Sequence, residues 1–133
     1  MNALGTSLAG VRVLAVDDDD DTRYVTRATL ESYGAVVIES ASARHAFDVL
    51  RQERPDVLVS DLSMPGEDGY WLIAAVRALS IAQGGGTPAV AVTGHVTPED
   101  RASVLRAGFQ FHVAKPVDPH RLVGVVAILA LKQ

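Results

Sequence analysis

The sequence comprises 133 residues, 48% of them apolar, which suits one domain with a substantial core and leaves no room for a second. A net charge of −4 excludes general electrostatic attraction to nucleic acid or to an anionic membrane surface, and the absence of cysteine excludes disulfides and thiolate metal sites, as in a reducing cytosol. No apolar run approaches the roughly 20 residues of a membrane-spanning helix, and no basic segment with an apolar run behind it opens the chain, so the sequence reads as soluble, unexported and cytoplasmic.

Residues 1–9 are small and polar and read as a flexible lead-in to a domain over residues 10–133. The pattern then alternates between short β-branched runs and longer helical segments. Residues 11–16 form a first strand, and residues 20–33 a first helix with Tyr24, Ala28 and Leu30 as inward candidates and Gly34 suited to the left-handed position after it. A second strand over 35–39 leads to a second helix over 42–53, whose stripe is Ala46, Phe47, Val49 and Leu50 and which Pro55 stops. The third strand, 56–60, ends at Asp61 before a run of turn formers. The third helix, 69–80, carries Leu72, Ile73, Val76 and Leu79, and the glycines of 83–86 read as a flexible connector. The fourth strand is 89–93, and the fourth helix, 98–107, opens on Pro98, Glu99 and Asp100, which suit the positive end of its dipole. A fifth strand over 111–114 and a fifth helix over 118–131 complete the series. That last helix is apolar on more than one stripe, through Leu122, Val123, Val125, Val126, Ile128, Leu129 and Leu131. It either lies deep against the sheet or contributes to a contact with a second copy or a kinase.

Five strands alternating with five helices predict an α/β fold, a doubly wound parallel sheet covered on both faces. Ligands of such open sheets collect beyond the carboxyl ends of the strands. Asp17, Asp18, Asp61, Thr93 and Lys115 all fall at those ends. Carboxylates held together repel one another, and a hard cation resolves the repulsion; an oxygen-only ligand set favours Mg2+ or Mn2+ over zinc. Lys115 and Thr93 supply the charge and hydroxyl that hold phosphoryl oxygens during in-line displacement, and Asp61 is a nucleophile already ionised at neutral pH.

The segments Val13-Leu14-Ala15-Val16-Asp17-Asp18-Asp19, Asp61-Leu62-Ser63-Met64-Pro65-Gly66-Glu67-Asp68-Gly69, Ala91-Val92-Thr93-Gly94 and Lys115-Pro116 resemble, in order, the motifs of the receiver domain of two-component response regulators, over residues 10 to 131. The resemblance implies a flavodoxin-like three-layer sandwich with strand order 2-1-3-4-5. It implies that Asp61 accepts a phosphoryl group from a histidine kinase or a histidine phosphotransfer protein. Mg2+ would be bound by Asp18, Asp61 and the backbone carbonyl of Ser63, with Asp17 acting through metal-bound water. Thr93 would turn its hydroxyl to the phosphate and Lys115 would pair with a phosphate oxygen, the peptide before Pro116 being cis. Ser63 and His95 would influence self-dephosphorylation. At the position of a switch aromatic in many receivers stands His112, a feature closer to receivers of hybrid histidine kinases than to those fused to DNA-binding domains. The face built from helix four, strand five and helix five would transmit the signal, with a homodimer as one use of it.

Two other functions fit parts of this pattern. A Mg2+-dependent aspartyl-phosphate phosphatase would use the same nucleophile, but commonly places a second Asp where Ser63 stands. A phosphorylation-independent adaptor would keep the fold alone. His45 and His120 read as helix-surface residues, Trp71 as packing or a surface contact, and Asp19 to Asp21 as a solvated helix start.

Overall fold

The computed structural model describes residues 6–94 and 97–131. Strands β1 (Arg12–Val16), β2 (Val36–Ser40), β3 (Val57–Asp61), β4 (Ala89–Thr93) and β5 (Phe111–Ala114) alternate with helices α1 (Asp20–Glu31), α2 (Ala43–Glu53), α3 (Gly69–Arg77), α4 (Pro98–Ala107) and α5 (Pro119–Ala130). Every strand pairing is parallel, and the order is β2-β1-β3-β4-β5, as the sequence led us to expect. The chain steps outward from β1 to β2 and returns on the other side to β3. The connections leaving β1 and β3 therefore diverge and open a crevice at the carboxyl ends of the two central strands.

Alternation along the strands divides the core into two layers. Leu14, Val16, Leu58, Ala89 and Ala91 face α2, α3 and α4. Val13, Val57, Val59, Val90, Val92 and Val113 face α1 and α5. Strands β3 and β4 are buried along their whole length, as parallel strands covered on both faces must be. Each helix begins with a side chain that accepts a backbone N–H of its first turn, from Asp19, Ser42, Asp68, Thr97 and Asp118 in turn. At α4 the arrangement is reciprocal, Thr97 and Asp100 capping one another.

The expected elements all form, with β4, α4 and β5 at the expected bounds and no end elsewhere shifted by more than three residues, and Asp61 becomes the last residue of its strand. Three details differ, and the breadth of α5 follows one of its two expected readings. In α1, Tyr24 is 67% exposed and Ala28 is exposed, while the inward stripe is Arg23, Thr26 and Leu30. Two polar members, one of them bonded to the carbonyl of Asp17, hide that stripe from a reading based on hydrophobicity. The glycines after α3 are not a loose connector. A short 3-10 turn (Ile81–Gln83) leads into buried Gly84 and Gly85, and a Cβ on Gly85 would lie 2.1 Å from the carbonyl oxygen of Leu79, so close backbone approach requires glycine there. The lead-in is not free at Leu8, which is fully buried and donates its amide to the carbonyl of Tyr33 at 2.7 Å; residues 1–5 lie outside the described residues. In α5, Leu122, Val123, Val125, Val126 and Leu129 are buried, leaving only Ile128 and Leu131 exposed among its large apolar residues. The helix lies deep against the sheet, and the core accounts for its breadth.

At the amino ends of the strands, half-buried Arg77 takes the place of a covalent staple. Its Nε and Nη2 donate to the carbonyl of Gly108 at 3.0 and 2.7 Å, and its Nη1 donates to those of Gly85 and Thr87 at 2.9 and 2.7 Å. One guanidinium thereby ties the segments entering β4 and β5 to α3, its five donors filling a fork that a lysine cannot fill. Replacing it strands three carbonyls. Arg77→Met is therefore expected to cost about 3 kcal/mol of stability in urea unfolding, and Arg77→Lys less; a change within 0.5 kcal/mol for Arg77→Met, the scale of a neutral surface substitution, would refute this role.

Candidate functional site

The register of the sheet assembles the site. Val16 pairs with Ser60, so Asp17 and Asp61 follow side by side; Asp61 pairs with Val92, and Val92 with Val113. Lys115 stands two residues beyond Val113. With a side-chain period of two, Asp17, Asp61 and Lys115 project toward the same face, the one covered by α1 and α5. Lys115 Nζ lies 3.1 Å from Asp61 Oδ1 and 3.6 Å from Asp17 Oδ2. Both carboxylates are buried, 6% exposed at Asp17 and 4% at Asp61. Thr93, one step out of phase, is buried at the end of β4, and its carbonyl accepts the amide of Lys115 at 2.9 Å. The Lys115–Pro116 peptide is cis. Asp18 sits at the exposed rim, and one carboxylate oxygen from each of Asp17, Asp18 and Asp61 lies within 4.8 Å of the others.

One ammonium thus faces three carboxylates. Burial raises the pKa of Asp17, the amide of Asp19 opposes that rise, the negative charges of Asp61 and Asp18 add to it, and Lys115 counters them. For Lys115, burial pulls downward, but hydrogen bonding and charge from Asp61 and Asp17 outweigh it and raise its pKa. The donor set consists of oxygens with no imidazole or thiolate, the chemistry of a hard divalent cation such as Mg2+ or Mn2+. The residues fit such an ion on charge as well as on donor type.

The chain around these residues is tightly held. Asp17 Oδ1 accepts the amide of Asp19 at 2.9 Å, which turns the backbone into α1. After Asp61, the amide of Ser63 points to Asp61 Oδ1 at 3.4 Å, Met64 is buried, and the amide of Gly69 returns to the carbonyl of Leu62 at 3.1 Å. A Cβ on Gly69 would lie 2.3 Å from the carbonyl oxygen of Asp61, so α3 starts against the end of β3 only because residue 69 has no side chain. Farther along this loop Glu67 pairs with Arg44 at 2.9 Å, and Arg44 lies over the ring of Trp71, itself edge-on to Phe47. His112 is half-buried on β5; burial, then the charges of Arg101 and Arg121, lower its pKa and favour a neutral imidazole. His95 lies outside the described residues.

The sequence reading passed over Arg23. It occupies the inward stripe of α1 and donates to the backbone carbonyl of Asp17 at 2.7 Å. The signal was present as an arginine in phase with Thr26 and Leu30, visible only once the helix phase is fixed.

Comparison with known proteins gives a consistent result. Residues 13–127 match the family model of the response regulator receiver domain. An uncharacterized 14.6 kDa protein of Leptolyngbya boryana is 44% identical over 120 residues, which are 90% of each chain. Hybrid signal transduction histidine kinase D of Dictyostelium discoideum is 34% identical over 117 residues; the match takes in 84% of this chain and only 8% of that kinase's length. Among solved structures, chemotaxis protein CheY4 of Vibrio cholerae superposes with a TM-score of 0.83 at 30% identity, over 91% of this chain and 99% of the other. With five parallel strands in the order 2-1-3-4-5, and a family match across most of its length, this chain belongs to the response regulator receiver domain family of two-component signalling.

Proposed function

We propose that Asp61 is the phosphoacceptor of this receiver and takes its phosphoryl group from a phosphohistidine of a histidine kinase or a histidine phosphotransfer protein. The observation that carries the proposal is the contact of Lys115 Nζ with Asp61 Oδ1 at the buried end of β3, inside a cluster of three carboxylates. An Asp61 oxygen attacks phosphorus, the bond from phosphorus to the histidine nitrogen breaks, and that nitrogen keeps the electron pair and takes a proton. The product is an acyl phosphate on Asp61. Lys115 shifts to a phosphoryl oxygen, and the hydroxyl of Thr93 donates to another. Asp18, Asp61 and the carbonyl of Ser63 would hold Mg2+, with Asp17 beside them. When bound, the ion supplies charge neutralisation for the phosphoryl oxygens. Ser63 and His95 are assigned to the rate of phosphate loss, and His112 with Thr93 to the conformational response read on the face of α4, β5 and α5. Among the described residues no helix is long and apolar enough to cross a membrane.

Incubating the protein with Mg2+ and acetyl phosphate is expected to add a single phosphoryl group by intact mass, and Asp61→Asn none. An unmodified wild type would favour the adaptor reading, and steady release of phosphate from many metabolites the phosphatase.

The carboxylate cluster also has a consequence for stability. Asp17 binds a proton more tightly in the folded state than in the unfolded one, so between the ordinary carboxylate pKa and the raised value the folded state carries more protons. Stability in that window falls as pH rises, and the cost persists above it. In Mg2+-free buffer at pH 7, Asp17→Asn is expected to stabilise the protein by about 1 kcal/mol, with the gain fading as pH falls toward 4. Thermal melts of both proteins across that range measure it; equal or lower stability of the variant at pH 7 would contradict the account.

A further inference from the structure

Arg23 is only 15% exposed at its side chain and uses all three guanidinium nitrogens. Nη1 donates to the carbonyl of Asp17 at 2.7 Å, Nε to Glu39 at 3.2 Å and Nη2 to Asp20 at 2.6 Å. It joins the end of β1, the first turn of α1 and the edge strand β2 in one bracket. The carbonyl it grips belongs to the residue from which the turn carrying Asp18 departs. Three carboxylates within 4.8 Å tend to spread apart, and Asp18, on an exposed turn, is the one free to swing outward.

We infer that Arg23 is a positioning residue that holds the turn after β1 in its cation-ready form, so that the repulsion among Asp17, Asp18 and Asp61 is opposed before an ion arrives. This rests on the Mg2+ reading given above. The fixed planar fork is what matters. A lysine keeps the charge, but its single nitrogen cannot reach acceptors that are met by three separate nitrogens of a planar fork. Arg27 provides an internal contrast: it holds the other oxygen of Glu39 at 2.8 Å and pairs with Glu31, but its hydrogen bonds reach neither Asp17 nor the turn.

The test is titration calorimetry of Mg2+ into wild type and the Arg23→Ala, Arg23→Lys and Arg27→Ala variants without phosphodonor, followed by phosphorylation from acetyl phosphate at varied Mg2+. Loss of an outer-sphere support typically weakens metal binding 10- to 100-fold. Both Arg23 variants are expected to bind Mg2+ about 10-fold or more weakly, and Arg27→Ala as tightly as wild type. At saturating Mg2+ the phosphorylation rate of the Arg23 variants should return to that of wild type, with only the half-saturating concentration raised. If Arg23→Ala does not fold, Arg23→Lys carries the comparison. Wild-type affinity in a folded Arg23 variant, or an equal loss in Arg27→Ala, overturns the inference while leaving the Mg2+ reading intact. No Mg2+ binding by wild type overturns both.

Discussion

The central constraint of this molecule is the crowding of Asp17, Asp18 and Asp61 against the single ammonium of Lys115. Parallel pairing of β1 with β3 and the inward phase of the strands force two buried carboxylates into adjacency, a placement the fold must support elsewhere. The unbroken burial of β3 and β4 and the guanidinium staple at Arg77, at the opposite end of the sheet, supply much of that support, while the caps of α1 and α3 fix the chain beside the site itself. The carboxyl ends of the strands concentrate unfavourable charge, and at the amino ends Arg77 ties the entering segments through their carbonyls.

Much of this was legible in the sequence, for identifiable reasons. Runs such as Val57 to Ser60 are apolar without alternation and end in turn formers, so both the strand and the placement of Asp61 at its mouth follow from local pattern. The five site positions at strand ends could be read because each lies next to a strand whose phase is unambiguous. The phase of α1 was harder. Its inward stripe holds a threonine and an arginine, the latter with partners at Asp17 and on β2, and no scale of hydrophobicity ranks Arg23 above Tyr24. The glycines at 84 and 85 look the same in sequence whether they loosen a chain or admit a close approach. Leu8 stands in a stretch of mixed residues with no helical or strand period, and it is anchored through Tyr33, 25 positions away.

Membership of the receiver family fixes the architecture, and an individual feature of this chain is how the face of α4, β5 and α5 is charged. His112 lies on β5 in a setting made by Arg101 from α4 and Arg121 from α5; Arg121 also reaches the carbonyl of His112 at 3.3 Å. An uncharged imidazole between two guanidinium groups is smaller and more polar than a phenol or phenyl ring. Any rearrangement of that face works against local electrostatics rather than against the burial of a large ring.

The clasp of Arg44 with Glu67 and Trp71 has an optical consequence. Trp71 is the single tryptophan of the chain, its indole is packed edge-on to Phe47 with their ring centroids 6.1 Å apart, and the arginine above it is tied to the loop that leaves Asp61. Emission from the whole protein on selective excitation therefore comes from one fluorophore, coupled through one ion pair to the segment that follows Asp61. The molecule carries its own spectroscopic gauge of that loop, with no label needed.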